Sequence, residues 1–185
     1  MASQPGASGG GHLFGSLIRD VPDFPEPGVV FKDITPLLAE PAALAEVVES
    51  LARLGRDEQG RTVVDKVIGI EARGFILAAP VALSLGAGFV PVRKQGKLPA
   101  ATHEVSYTLE YGEATLAVHQ DAFEPGDRVL IVDDVLATGG TVAATADLVR
   151  RCGATVEHVA VLLEISFLGG RDKISVLDAT ALLTA

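Results

Sequence analysis

Residues 129–141, Val-Leu-Ile-Val-Asp-Asp-Val-Leu-Ala-Thr-Gly-Gly-Thr, constrain this chain more than any other stretch. An apolar run meets two adjacent acids, Asp133 and Asp134, then a short Gly/Thr loop, then a helical pattern. Such an apolar run suits a parallel strand buried on both faces, so the order reads strand, turn and helix N-terminus. In open α/β sheets, ligands bind at the carboxyl ends of strands like this one. The rest of the chain agrees with that architecture. Strand patterns at 63–70, 88–93, 128–132 and 156–163 alternate with helical patterns at 41–54, 74–85 and 141–151, and Gly153 is placed to end the last helix. That alternation predicts a parallel α/β sheet. Residues 97–119 alternate like a hairpin, and the proline-rich stretch 16–36 reads as an ordered but irregular arm.

The loop has a definite chemistry. Gly139 and Gly140 let the backbone approach a ligand closely. Successive N–H groups in such a turn form an anion-binding concavity, and the positive end of the following helix dipole points into it. Thr138 and Thr141 add hydroxyl donors. The outline is that of a phosphate monoester site. Asp133 and Asp134 would repel a phosphate at close range, so they suit sugar hydroxyls, or Mg²⁺ directly or through water. A phosphate with a diol a few ångströms away describes a ribose 5-phosphate. Neighbouring side chains on a strand face opposite sides, so both acids can address one ribose only if the chain turns there. The alternative is a solvated turn capping an ordinary helix. Neither the Walker spacing nor G-x-G-x-x-G after a strand is present.

Those residues resemble the phosphoribosyl-diphosphate (PRPP) binding signature of the type I phosphoribosyltransferases. Further blocks resemble the adenine phosphoribosyltransferase family: residues 24–36 (Phe-Pro-Glu-Pro-Gly-Val-Val-Phe-Lys-Asp-Ile-Thr-Pro), Glu-Ala-Arg-Gly-Phe at 71–75, Arg-Lys-Gln-Gly-Lys-Leu-Pro at 93–99 and Tyr-Thr-Leu-Glu-Tyr-Gly at 107–112. The similarity runs from about Ile18 to about Lys173 in the family's order. It implies a central parallel sheet flanked by helices, a small hood and a flexible β-hairpin lid. It also implies transfer of the 5-phosphoribosyl group of PRPP to adenine, giving AMP and pyrophosphate in purine salvage.

The resemblance distributes roles over named residues. Ala137, Thr138, Gly139, Gly140 and Thr141 hold the 5-phosphate. Asp133 and Asp134 hold the ribose diol and place negative charge near the sugar cation. Glu71, Ala72 and Arg73, in a turn that often carries a cis peptide, join Arg93, Lys94 and Lys97 around pyrophosphate. Val29, Val30, Phe31, Lys32 and Arg73 form the adenine pocket. Glu110 handles the base's proton, and Tyr107 and Tyr111 lie in the lid. Mg²⁺ is held mainly by substrate and water near Asp133 and Asp134, with no direct protein ligands. The partners implied are PRPP, adenine and a second copy in a homodimer. Read without the resemblance, Glu71 to Gly74 is equally a helix cap with a surface arginine. In the same way the three cations fit a solvated loop, Glu110 a hairpin carboxylate and Phe31 the core.

Composition sets outer bounds. The chain has 185 residues, 48% of them hydrophobic, enough for one domain with a real core. The expected organisation is a disordered tail at 1–11 and a single domain at 12–185. A formal charge of −9 argues against a nucleic-acid platform and against a PRPP-sensing regulator, which needs a basic face. The missing glycine fingerprint argues against a dinucleotide enzyme. No long apolar run suggests a membrane span and no leader is visible, so a cytoplasmic location is expected. Cys152 is the single cysteine and reads as a buried bystander, and His12, His103, His119 and His158 lack ligand spacing.

Overall fold

The computed structural model describes residues 14–108 and 113–185. Two compact units divide the chain, Met1–Glu46 and Val47–Ala185.

In the first unit the proline-rich arm is more regular than its sequence suggests. Strands β1 (Arg19–Pro22) and β2 (Val30–Asp33) pair antiparallel, Arg19 opposite Asp33 and Pro22 opposite Val30. Ion pairs Arg19–Asp33 and Lys32–Asp20 cross the hairpin. The connection is closed by Gly28, at φ 88°, whose N–H donates to Asp23 Oδ1 at 2.8 Å. The Phe24–Pro25 bond is cis, and the Phe24 and Phe31 rings meet edge to face at 5.1 Å. Asp33 Oδ1 accepts from the Thr35 N–H and hydroxyl, at 2.9 and 2.7 Å, as α1 (Thr35–Ala39) begins. Helix α2 (Pro41–Ala52) follows, with proline at its first position, and runs across the boundary between units.

The second unit is built on a seven-stranded sheet. Its strands are β3 (Lys66–Ile70), β4 (Gly88–Lys94), β5 (Thr102–Thr108), β6 (Glu113–His119), β7 (Arg128–Leu136), β8 (Thr155–Glu164) and β9 (Ala179–Thr184). Their order is β5-β6-β4-β3-β7-β8-β9. The block from β4 to β9 is parallel, and β6 and β5 extend it antiparallel. Helices α3 (Gly74–Leu85) and α4 (Gly140–Arg151) make the crossovers, and a four-residue α5 (Gly170–Lys173) precedes β9. The expected parallel α/β sheet flanked by helices is what forms. Val129, Ile131, Val159, Val161, Ile68 and Val92 are among its buried apolar side chains.

Topology then locates the site. The β3–α3–β4 crossover steps one way along the sheet, and β7–α4–β8 steps the other way. With right-handed crossovers the two helices therefore cover opposite faces. The strand order reverses between β3 and β7, and the crevice outside their carboxyl ends is the topological switch point where open α/β sheets bind ligands.

Candidate active site

Three strand ends lie side by side at that crevice. β4 ends in Arg93 and Lys94, β3 runs into Glu71, and β7 carries Asp133 and Asp134. The Glu71–Ala72 peptide is cis, as the family resemblance implies.

The acids differ from expectation in one respect. The strand expected at 128–132 continues to Leu136, so the chain does not turn at the acids. The reason is β8, which pairs beyond them, Asp133 opposite Val161 and Leu136 opposite Glu164. Both carboxylates nevertheless meet the turn after β3. Asp134 Oδ2 lies 2.7 Å from Arg73 Nε. Asp133 Oδ1 accepts the Asp134 N–H at 2.9 Å and sits 2.7 Å from where a Cβ on Gly74 would stand. Gly74 is thus the residue that lets α3 start against β7. Both acids are buried. Burial, reinforced by the charge of Asp134, pushes the Asp133 carboxyl well above the usual range.

The loop after β7 has the geometry of an anion cradle. Gly139, at φ 77°, is the residue before α4, and its carbonyl accepts the first helical hydrogen bond, from Ala143 N at 3.0 Å. First-turn N–H groups, here Gly140, Thr141 and Val142, have no intrahelical acceptors. The first turn carries no acidic side chain, while Arg150 and Arg151 sit in the last, so the helix field favours an anion at its start. Two neighbours brace the loop. A Cβ on Gly139 would stand 2.5 Å from Gly170 O, so the C-terminal segment closes on it backbone to backbone. A Cβ on Gly140 would stand 3.0 Å from the Tyr107 ring, and Tyr107 OH lies 3.2 Å from Thr141 Oγ1. Strand β5 therefore rests on the loop, and Arg151 Nη1 donates to Glu104 O, at 2.9 Å, further along the same strand.

At the end of β4 the groups divide. Glu71 accepts Arg93 Nε at 3.2 Å and the Lys94 N–H at 3.0 Å, while Arg93 Nη1 donates to Lys97 O at 3.1 Å. Glu71 therefore shapes the strand end and shares the charge of Arg93. Lys94 and Lys97 extend into solvent from the turn at Gly96, at φ 77°.

Among the candidate adenine residues, Val29 and Val30 are exposed in the first unit, Phe31 packs on Phe24, and Lys32 is paired with Asp20. Glu110 and Tyr111 lie outside the described residues. The sequence reading passed over Gly170, although Gly169-Gly170 just after a strand is the same signal that marked Gly139-Gly140.

A phosphate cradle, paired acids and a cationic strand end around one switch point define a phosphosugar-transferring α/β enzyme. Residues 33–177 match the phosphoribosyl transferase domain model, and the chain belongs to that family. Its relatives identify the branch. It is 69% identical over 169 residues to the adenine phosphoribosyltransferase of a Nocardioides species, covering 91% of each chain. The crystal structure of adenine phosphoribosyltransferase from Rhodothermus marinus superposes with a TM-score of 0.87 at 50% identity, over 93% of this chain and 96% of that one. The Giardia lamblia enzyme, complexed with 9-deazaadenine, gives 0.85 at 39% identity, over 92% and 94%.

Proposed function

We propose that this chain transfers the 5-phosphoribosyl group of PRPP to adenine, releasing pyrophosphate and forming AMP. The observation that carries the reading is the convergence, at one switch point, of the loop at 137–141, the acids of β7 and the basic end of β4. The Giardia relative's 9-deazaadenine complex supports the choice of base.

The division of labour follows from charge. In the transition state, positive charge builds on the anomeric carbon and ring oxygen while negative charge builds on pyrophosphate. Ala137 to Thr141 anchor the 5-phosphate. Asp133 and Asp134 take the ribose diol and oppose the positive charge. Arg73, Arg93, Lys94 and Lys97, with the Glu71–Ala72 turn, receive the leaving group. Val29 to Lys32 and Arg73 read adenine, Glu110 takes the proton that the attacking ring nitrogen must shed, and the lid carrying Tyr107 and Tyr111 excludes water.

Asp133 and Asp134 lie buried against one guanidinium, and their hard oxygens suit Mg²⁺, which would favour the ionised form of Asp133 when bound. Held there through water and substrate, the ion would neutralise the diphosphate as it leaves. Among the described residues no group of three or more His, Cys, Asp or Glu is placed to hold a metal alone, so substrate oxygens would complete the shell.

A homodimer belongs to the same proposal. α3 contains no charged residue and, apart from Ser84 near its end, no polar side chain, and its outer face leaves Ile76 and Leu83 exposed. A helix of that kind is ordinarily covered. Among the described residues no helix is long and apolar enough to cross a membrane. Because PRPP and AMP are highly charged and do not cross membranes unaided, we place the enzyme in the cytoplasm, within purine salvage.

The test offers adenine, guanine, hypoxanthine, xanthine and uracil separately with PRPP and Mg²⁺ and follows nucleotide formation. Turnover with adenine alone supports the reading. Turnover with another base discards the pocket assignment, and no turnover with any base refutes the transfer.

A further inference from the structure

The loop at 137–141 offers a phosphate N–H groups and two hydroxyls but no cation, and its neighbours in sequence are acids. A phosphate monoester carries close to two negative charges at neutral pH. The nearby basic residues are mostly committed elsewhere. Arg171 is bonded to Glu164 and donates to Ala179 O at 2.7 Å, Arg150 is paired with Asp147, and Arg151 donates to Glu104 O. The Lys173 side chain makes no ion pair or hydrogen bond with any other described residue.

The fold fixes where that lysine stands. Gly170 lies against the phosphate loop so closely that a Cβ on it would overlap Ala137 O and come within 2.9 Å of Gly139 N. Ile174, four residues on, is buried in the core. Lys173 lies between these two anchors, one helical turn from Gly170 and hence on the same side as the loop. Its Nζ sits 3.7 Å from where a Cβ on Gly140 would be, at the first residue of α4. Gly140, Tyr107 and Lys173 line one cavity of about 260 Å³.

We propose that Lys173 is a binding residue for the 5-phosphate, delivered to the α4 N-terminus from the C-terminal segment. The inference rests on the phosphoribosyltransferase reading and adds to it the missing charge of the phosphate site. A charge-assisted contact at an accessible site corresponds to roughly tenfold in affinity. The guanidinium of a Lys173→Arg variant can serve the same anion.

The test titrates ribose 5-phosphate, AMP, adenine and pyrophosphate into the full-length wild type, Lys173→Ala and Lys173→Arg. Lys173→Ala should weaken ribose 5-phosphate and AMP about tenfold and raise the KM for PRPP similarly. Adenine and pyrophosphate binding should stay within twofold, and Lys173→Arg should recover most of the loss. The wild-type affinity for ribose 5-phosphate should also fall more steeply with salt than that of the alanine variant. Ribose 5-phosphate binding by Lys173→Ala within twofold of wild type overturns the inference while leaving the enzyme reading intact. So does an equal loss for pyrophosphate, which would make the lysine a general attractor of anions. A wild type that makes AMP from adenine but ignores ribose 5-phosphate also overturns it, whereas a wild type that neither turns over nor binds overturns both readings.

Discussion

Gly170→Ala should damage the enzyme from outside its catalytic residues. Gly170 has no left-handed backbone conformation, and it opens a helical turn. On propensity alone alanine there would be neutral or stabilising, by about 0.4–1 kcal/mol through the unfolded chain. Packing reverses the sign. The added methyl would overlap Ala137 O and lie 2.9 Å from Gly139 N and 3.0 Å from Ala137 C. All three are backbone atoms, so no side chain can rotate away. Ordinary carbon–oxygen contacts begin at about 3.3 Å. The loop and the C-terminal segment must therefore separate by something on the order of 1 Å.

Two measurable effects follow. Overpacking of this kind costs about 1–3 kcal/mol. For a chain of this length that corresponds to a fall in Tm of about 2–12 °C. Displacing a substrate anchor by about 1 Å costs roughly 10²-fold in rate. The assay pairs thermal unfolding with steady-state AMP formation at varied PRPP and at varied adenine. The loss should concentrate in kcat/KM for PRPP. A variant with wild-type Tm and kcat/KM within threefold would refute the reasoning, because it would show that the loop does not depend on its contact with Gly170.

Asp133→Asn should separate stability from activity. The folded chain holds a proton on Asp133 that the unfolded chain releases above about pH 4, so wild-type stability declines as pH rises from there and stays lower above the raised folded value. Asn removes that decline, so the variant's Tm should change less between pH 4 and 8 and be no lower at pH 8; an equally steep profile refutes this. The double variant Asp133→Asn, Asp134→Asn should lose at least about 10²-fold in turnover, and near-normal turnover would remove the acids from the mechanism. Asp33 and Asp65 act in a lower window. The Thr35 N–H and Arg19 hold Asp33 at about 2, and Arg128 holds Asp65 at about 2, so their stabilisation is present above about pH 4 and lost as pH falls through 2. Tyr107→Phe keeps the ring against Gly140 but deletes the hydroxyl near Thr141, so the KM for PRPP should rise roughly threefold to tenfold with Tm unchanged. An unaltered KM would dismiss the contact.

The elements legible in the sequence are those whose reasons are local. Helix α3 begins and ends at 74 and 85 as its pattern indicates, and Gly153, at φ 78°, follows the end of α4. The illegible elements owe their form to distant partners. β9, Ala-Thr-Ala-Leu-Leu-Thr, has little strand character of its own and exists because β8 offers it an edge. β7 runs through two aspartates, poor strand formers, because β8 pairs on past them. β1 and β2 form around prolines because Pro22 and Pro25 sit where the strand ends and the connection begins. The sites follow the same rule. The loop at 137–141 was legible because acids, glycines and threonines adjoin in sequence. That Asp134 pairs with Arg73, or that Glu71 shares the charge of Arg93, depends on neighbouring strand ends.

Glycine is the means by which those ends approach, and each instance involves two distant partners. Gly74 admits Asp133, Gly139 admits the carbonyl of Gly170, and Gly140 admits the ring of Tyr107. Add a Cβ at any of the three and one strand end is pushed away from the crevice, whatever the chemistry of its side chains. Gly139-Gly140 and Gly169-Gly170 follow neighbouring parallel strands, β7 and β8, and Gly139 and Gly170 face each other across the gap between them. A bare backbone at Gly170, beyond the end of the adjacent strand, is therefore a packing requirement of the loop at 137–141. A loop tight enough to wrap a phosphate leaves no room on its other side for a neighbour with side chains, and only a bare backbone can support it there.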